Sequence, residues 1–151
     1  MSPVMFLALV GVATLVAAVM HFVMERRRSS AVRKLAQDWQ MHYTPDDRFR
    51  LADRIAGDLG VPGAAQVRVE DVIYGSEGEC YRYYFTVEYT IGVLRRHHDV
   101  RCVCMTTERK QREGATEMTK PVVGQMEVGV LEQYRRLRDK VERQTSPVLP
   151  S

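Results

Sequence analysis

Cys80, Cys102, Cys104, His97 and His98 are the side chains best equipped for chemistry in this 151-residue chain. A structural zinc site takes four ligands, commonly from Cys-x₂₋₄-Cys or His-x₃₋₅-His pairs. Here Cys102 and Cys104 share one face of a strand and Cys80, on the neighbouring strand, could approach them, but His97 and His98 point to opposite faces. That set fits zinc poorly. Thiols packed as small apolar residues are the commoner use, with a regulatory disulfide or a reactive cysteine as alternatives. The sequence holds no Gly-rich phosphate loop, no Gly-x-Ser-x-Gly and no His-Glu-x-x-His. Asp46-Asp47, Glu77 and Glu79 read as capping or turn residues. No catalytic residue, metal ligand or cofactor is assigned, and a chain without chemistry of its own is the favoured expectation.

Aromatic side chains on a sheet can stack nucleic-acid bases when a basic groove lies alongside. Tyr81, Tyr83, Phe85, Val87, Tyr89 and Ile91 fall on one face of a long period-2 segment, and Arg82, Tyr84, Thr86, Glu88 and Thr90 on the other. Val87 and Ile91 on the aromatic face argue for a covered core face opposite a wet one, so nucleic acid is the weaker partner. Arg82 and Tyr84 on the wet face, together with the basic residues Arg95, Arg96, Arg101, Arg109 and Lys110 that follow (and Arg112 beyond them), form the candidate partner surface.

These groups must be positioned by elements that the sequence announces. Residues 3–24 carry no charged side chain, and the run stops at Glu25-Arg26-Arg27-Arg28. About 20 such residues, rising 1.5 Å each, span the roughly 30 Å hydrocarbon core of a bilayer. His21 lies close enough to the end of the run to reach the interface. The basic collar of Arg26, Arg27, Arg28, Arg33 and Lys34 at one end only predicts a single-pass anchor in the cell membrane, with the N-terminus outside and the rest cytoplasmic. A signal peptide would want a basic leading region and a small-x-small cleavage site, and both are missing. The collar also suits anionic lipid headgroups. An odd number of cysteines agrees with a reducing compartment, and a net charge of +3 with 45% hydrophobic residues describes an ordinary folded domain.

Beyond the anchor, Val32, Leu35, Ala36 and Trp39 form one helical face with no Gly or Pro between Val12 and Thr44. A short helix over residues 47–59, capped by Asp46 or Asp47, places Phe49, Ala52, Ile55, Ala56 and Leu59 inward and stops at Gly60 and Pro62. A strand with Val67, Val69 and Ile73 leads through Gly75-Ser76-Glu77-Gly78 to the aromatic strand, a turn near Gly92 and a third strand over 96–106. Residues 41–44 could add a fourth. Residues 108–120, with Gly114, read as a loop. A last helix over 126–144 carries the stripe Val130, Tyr134, Leu137 and Val141, available for self-association if the sheet does not use it. Pro147 and Pro150 mark a loose tail.

The expected class is α+β. An N-terminal transmembrane helix (1–28) precedes a small cytoplasmic domain (29–144), in which a three- to four-stranded antiparallel meander packs against two or three helices, and a flexible tail (145–151) follows. Trp39 followed by Tyr43-Thr44-Pro45-Asp46-Asp47, and then Tyr83-Tyr84-Phe85-Thr86-Val87-Glu88-Tyr89-Thr90, resembles a group of small uncharacterised bacterial membrane-anchored proteins over residues 4–107. The resemblance implies this architecture and no activity or binding residue. The function expected is therefore binding or scaffolding at the cytoplasmic face of the membrane, the partners being the bilayer and another membrane protein. A cysteine-based enzyme or redox-responsive protein is the alternative, and a nucleic-acid-binding module the second alternative.

Overall fold

The computed structural model describes residues 2–61, 64–93, 96–110, 117–124 and 126–145, with backbone alone at Ala64, Val93, Arg96, His97 and Thr145. Expectations placed on Pro62, Arg95, Arg112, Gly114, Pro147 and Pro150 lie outside the described residues.

The first helix, α1 (Pro3–Asp38), is a single run of 36 residues, about 54 Å long. Pro3 opens it, where a missing N–H costs nothing. It ends in a Schellman turn: Gln40 takes the left-handed conformation (φ 56°) that glycine usually fills, and the Met41 N–H reaches the Ala36 carbonyl at 2.9 Å. Its two halves differ completely. The apolar N-terminal part is exposed throughout, whereas Val32, Leu35 and Ala36 are buried in the domain.

Five antiparallel strands follow in sequence order: β1 (His42–Asp46), β2 (Ala64–Glu77), β3 (Cys80–Val93), β4 (Arg96–Arg109) and β5 (Val122–Val123). The edge strand over 41–44 is therefore present as β1. The two-residue β5 adds a fifth strand that its length hides in the sequence. β3 runs straight through Gly92 and pairs Val93 with Arg96, so the bend expected near Gly92 does not lie at that residue. β4 also runs past residue 106 to Arg109, and Glu108 bridges to Met118.

β2 contains two irregularities, at Gln66 (φ 53°) and Asp71 (φ 52°). A bulge inserts an extra residue and moves the side chains that follow to the opposite face. Val67 and Val69 consequently pack on one face of the sheet and Ile73 on the other, so they do not share the single alternating face read from the sequence.

Both sheet faces are covered, which corrects the expectation of a wet side. On one, Tyr83, Phe85, Val87, Tyr89, Cys102 and Cys104 lie under Leu51, Ile55 and Leu59. On the other, Tyr84, Ile73, Val103 and Met105 lie under Val32, Leu35 and Ala36 of α1 and under Tyr134, Leu137 and Val141 of α3 (Val130–Thr145). The stripe on α3 is thus consumed by the sheet and is not free for self-association. Thr86 interrupts this second apolar face harmlessly, because its hydroxyl bonds the Tyr134 hydroxyl at 2.9 Å.

The second helix, α2 (Leu51–Ile55), is shorter than the periodicity suggests, since the chain turns at Arg50 (φ 52°) before the helix begins. Asp47 still caps it, accepting the N–H groups of Leu51 and Ala52 at 2.8 Å each. The helix ends at Ile55, and residues 56–58 form turns before the left-handed Gly60 (φ 63°), so the stop comes earlier than expected. α3 starts four residues later than expected, after Gly129, with Gln133 bonding back to the Val128 carbonyl at 2.8 Å.

Candidate functional site

Two arrangements of polar groups stand out, at opposite ends of α1's contact with the sheet. The first is a buried clamp centred on Asp71, whose left-handed backbone at the β2 bulge turns its side chain towards α1. Asp71 is 1% exposed. Its Oδ1 accepts hydrogen bonds from Ser29 Oγ (2.9 Å) and the Tyr43 hydroxyl (2.7 Å), and its Oδ2 from Arg28 Nε (3.3 Å). The Asp71 carbonyl accepts the Tyr134 hydroxyl at 2.6 Å. Arg28 also reaches Glu25 (2.5 Å) and Glu70 (3.0 Å). One aspartate therefore ties together α1, β1, β2 and α3, and Tyr134 extends the network to Thr86 of β3. Burial opposes the charge on Arg28, but Asp71, Glu25 and Glu70 together hold its pKa above the ordinary value. Burial, helped by the bond to Asp71, pushes the Tyr43 hydroxyl up, and burial does the same at Tyr134. The buried Arg28 Nη1 has no hydrogen-bond partner among the described residues, so the desolvation cost of this ion pair offsets much of its attraction.

The second is a cleft of about 410 Å³ where the end of α1, α3 and the β2–β3 hairpin meet. Arg138 lies 4.7 Å over the Trp39 ring, which meets Tyr84 edge-on at 5.4 Å. Met41 packs so tightly on Gly75 that a Cβ there would come within 3.0 Å of its Cε. Arg82 lines the wall, held by Glu77 at 2.6 Å, and its buried Nε has no hydrogen-bond partner among the described residues. Arginine with tryptophan and tyrosine is the composition of protein-binding surfaces. Another hollow of about 450 Å³, between β5 and α3, is lined by Arg136, Asp139 and Lys140.

The residues singled out from the sequence distribute unevenly over this frame. Tyr84 is 1% exposed, a floor of the cleft and not the free surface contact expected, because α1 and α3 close over its face. Arg101 is half-exposed and faces Glu88 at 3.4 Å. Arg96 and Arg109 terminate the same strand, up to about 43 Å apart at 3.3 Å per residue. Lys110 bonds Ser76 Oγ and lies 4.6 Å over the Tyr81 ring at the β2–β3 hairpin. The basic segment is thus drawn out along a strand and does not gather into one patch. Arg26, Arg27, Arg33 and Lys34 are exposed, whereas the Arg28 side chain is only 14% exposed and faces the domain.

Cys102 and Cys104 are buried side by side, with sulfurs 3.9 Å apart. Contact with Cys102, with burial added, pushes the Cys104 thiol up. Cys80 pairs with Arg109, about 16 Å along β4 from Cys104, and cannot approach the other two. Among the described residues no group of three His, Cys, Asp or Glu side chains could hold a metal ion.

Sequence reasoning passed over Asp71, Glu108 and Gln133. Glu108, 8% exposed, joins Arg54 (2.7 Å) and the Tyr83 hydroxyl (2.9 Å) across the aromatic face. Gln133 Oε1 accepts the Val103 N–H at 3.0 Å. A signal existed for Asp71: it stands where the Val67, Val69, Ile73 alternation calls for an apolar residue.

No family model matches this chain, and no curated protein or solved structure is similar to it. The resemblance drawn from the sequence rests on its own motifs.

Proposed function

We propose that this is a single-pass membrane protein whose α+β domain binds or scaffolds another component at the cytoplasmic face, without chemistry of its own. One observation carries the reading: α1 is a single helix with a bare apolar half and a docked half. Leu7 is 69% exposed and Leu15 65%, within a stretch long and apolar enough to cross a bilayer. So large an apolar surface in water would drive aggregation, and lipid removes that cost. The arginines at the domain end favour the N-out orientation. The clamp at Asp71 fastens the emerging helix to the sheet, so the domain is held on a rigid post. Confinement to the membrane raises its effective concentration towards other membrane-bound proteins. The cleft at Trp39 is the contact surface we favour, since it lies at the end of α1 farthest from the apolar half.

The cysteine-based alternative has less support, with Cys102 and Cys104 buried under α2. The nucleic-acid alternative has less as well, because the aromatic stripe is core and the basic residues are dispersed. The full chain is expected to stay in the membrane pellet through alkaline carbonate extraction, with residues 1–24 still attached by intact mass. A released chain, or one lacking those residues, overturns the reading.

A further inference from the structure

α3 stands as a wall between two recesses. Tyr134, Leu137 and Val141 pack onto the sheet. Arg138 and Glu142 line the Trp39 cleft, whereas Arg136, Lys140 and Arg143 line the hollow beside β5. At about 3.6 residues per turn, the two sets occupy opposite flanks of the helix. Both recesses lie towards the end of the domain away from the apolar half of α1, since Arg138 stacks on Trp39 where α1 ends.

The two recesses differ in charge. In the cleft Arg138 is tied to Glu142 and Arg82 to Glu77, each at 2.6 Å. In the hollow, of about 450 Å³, three cations accompany a single carboxylate, Asp139. Arg136 bonds Glu132 at 2.9 Å, but Lys140 and Arg143 are exposed and have no ion-pair partner among the described residues. Their sign suits the negative end of the α3 dipole. The dipole does not explain why they gather on the flank that faces β5. Leu137, 2% exposed, gives the hollow an apolar floor.

The opposite wall offers main-chain groups. β5 is the last strand of the sheet, so its outer edge is open. Val122 pairs with Met105, and the Gly124 N–H reaches the Val103 carbonyl at 2.7 Å. Antiparallel pairing turns alternate residues towards the neighbouring strand. Val123 therefore directs its N–H and carbonyl away from β4, and neither has a hydrogen-bond partner among the described residues. Gly124 allows the chain to lie this close to β4, because a Cβ there would come within 3.1 Å of the Val103 carbonyl oxygen.

An open edge strand takes an extended peptide as an added strand. Arg136 and Lys140 stand about 6 Å apart along the helix axis, and alternate side chains of an extended chain about 6.7 Å apart. Acidic side chains two positions apart in such a peptide therefore match successive cations on α3. We infer that the hollow between β5 and α3 is a second interaction surface, which binds an extended acidic segment of a partner protein. Val123 supplies the main-chain bonds, and Lys140, Arg143 and Arg136 receive the carboxylates. The inference does not depend on the anchor or on the Trp39 cleft. It gives the domain one contact on each flank of α3, and two contacts let one domain bridge two partners.

The test titrates the full chain, in detergent micelles at low salt, into fluorescein-labelled peptides and follows their anisotropy. The probe alternates aspartate and valine. One comparison peptide has asparagine for aspartate, and another has N-methylated main-chain amides. Expected is saturable binding of the aspartate peptide, with each comparison peptide about tenfold weaker or worse. The double variant K140E with R143E should lose affinity for the aspartate peptide by about tenfold or more. R135E, which does not line the hollow, should bind like the native chain. K140Q with R143Q repeats the measurement should the reversed charges disturb the circular dichroism of the fold. No saturable binding of the aspartate peptide, unchanged binding by the double variant, or an equal loss in R135E overturns the site. An N-methylated peptide that binds like its parent overturns the strand addition. A short oligothymidylate that binds as tightly as the peptide, and is lost in the same double variant, overturns the assignment to a protein partner.

Discussion

Arg28 Nε donates to the Asp71 carboxylate at 3.3 Å, joining α1 to the bulge of β2. Three further groups depend on Asp71: Ser29, Tyr43 and, through the main chain, Tyr134. Asp71→Ala leaves the Ser29 and Tyr43 hydroxyls without their acceptor, removes one of the three carboxylates around Arg28 and puts alanine at φ 52°. The expected loss is about 3 kcal/mol. Asp71→Asn keeps the shape and a residue that tolerates the left-handed region, and should lose less. Urea unfolding of the full chain in detergent micelles checks both, and an unchanged midpoint for Asp71→Ala removes the clamp from the account.

Alkaline pH should loosen the domain. Tyr134, Tyr43 and Tyr83 are all held above the ordinary tyrosine pKa, first by burial. A raised folded-state value means that the unfolded chain loses these protons first. Their contribution is complete below about pH 10 and is lost as pH climbs towards the folded-state values. Tyr134→Phe leaves the Asp71 carbonyl and Thr86 without their partner, costing about 1–3 kcal/mol at neutral pH. It should also flatten the alkaline decline. A native unfolding midpoint that does not change between about pH 8 and 11 contradicts this.

The thiols offer a test of core packing. Cys102 and Cys104 are fully buried, and Cys80 is partly so. A small thiol reagent at neutral pH should label Cys80 alone in the folded chain and all three in denaturant. Cys102→Ser should bury a hydroxyl where a thiol packs and lower stability by about 1–3 kcal/mol. Rapid native labelling of Cys102 or Cys104 would instead revive the reactive-cysteine reading.

The period-2 run of β3 and the stripe of α3 are long and regular enough to read directly, and the docked face at Val32, Leu35 and Ala36 is equally plain. What escaped reading has local causes. A single left-handed residue, Asp71, reverses the facing of β2 after Val69, and no sum over apolar spacing reveals a bulge. Tyr84 and Thr86 look like a wet face because tyrosine and threonine carry hydroxyls. Burying the Thr86 hydroxyl requires a partner 48 residues away, Tyr134, that only the tertiary fold supplies. β5 has two residues and therefore no period. The clamp is half legible: in sequence Arg28 belongs to a basic collar, whereas its carboxylate partners on β2 lie some forty positions further along the chain.

Arg28 also separates two effects that the arginine collar would otherwise blend. Membrane orientation is decided during insertion, before β2 exists, so at that moment Arg28 counts like Arg26, Arg27, Arg33 and Lys34. After folding it differs from them, being enclosed by Glu25, Glu70 and Asp71 while the others remain exposed. With alkaline phosphatase fused after Ser151, the proposed orientation predicts that the native chain and R28Q are both inactive, since R28Q keeps four basic residues at the domain end. Replacing all five with glutamine should let phosphatase activity appear. Unfolding in urea should rank the single variants the other way: R28Q lowers the midpoint, and R26Q leaves it unchanged. An active phosphatase on the native chain reverses the orientation, whereas equal midpoints for R28Q and R26Q deny that the clamp fastens helix to sheet.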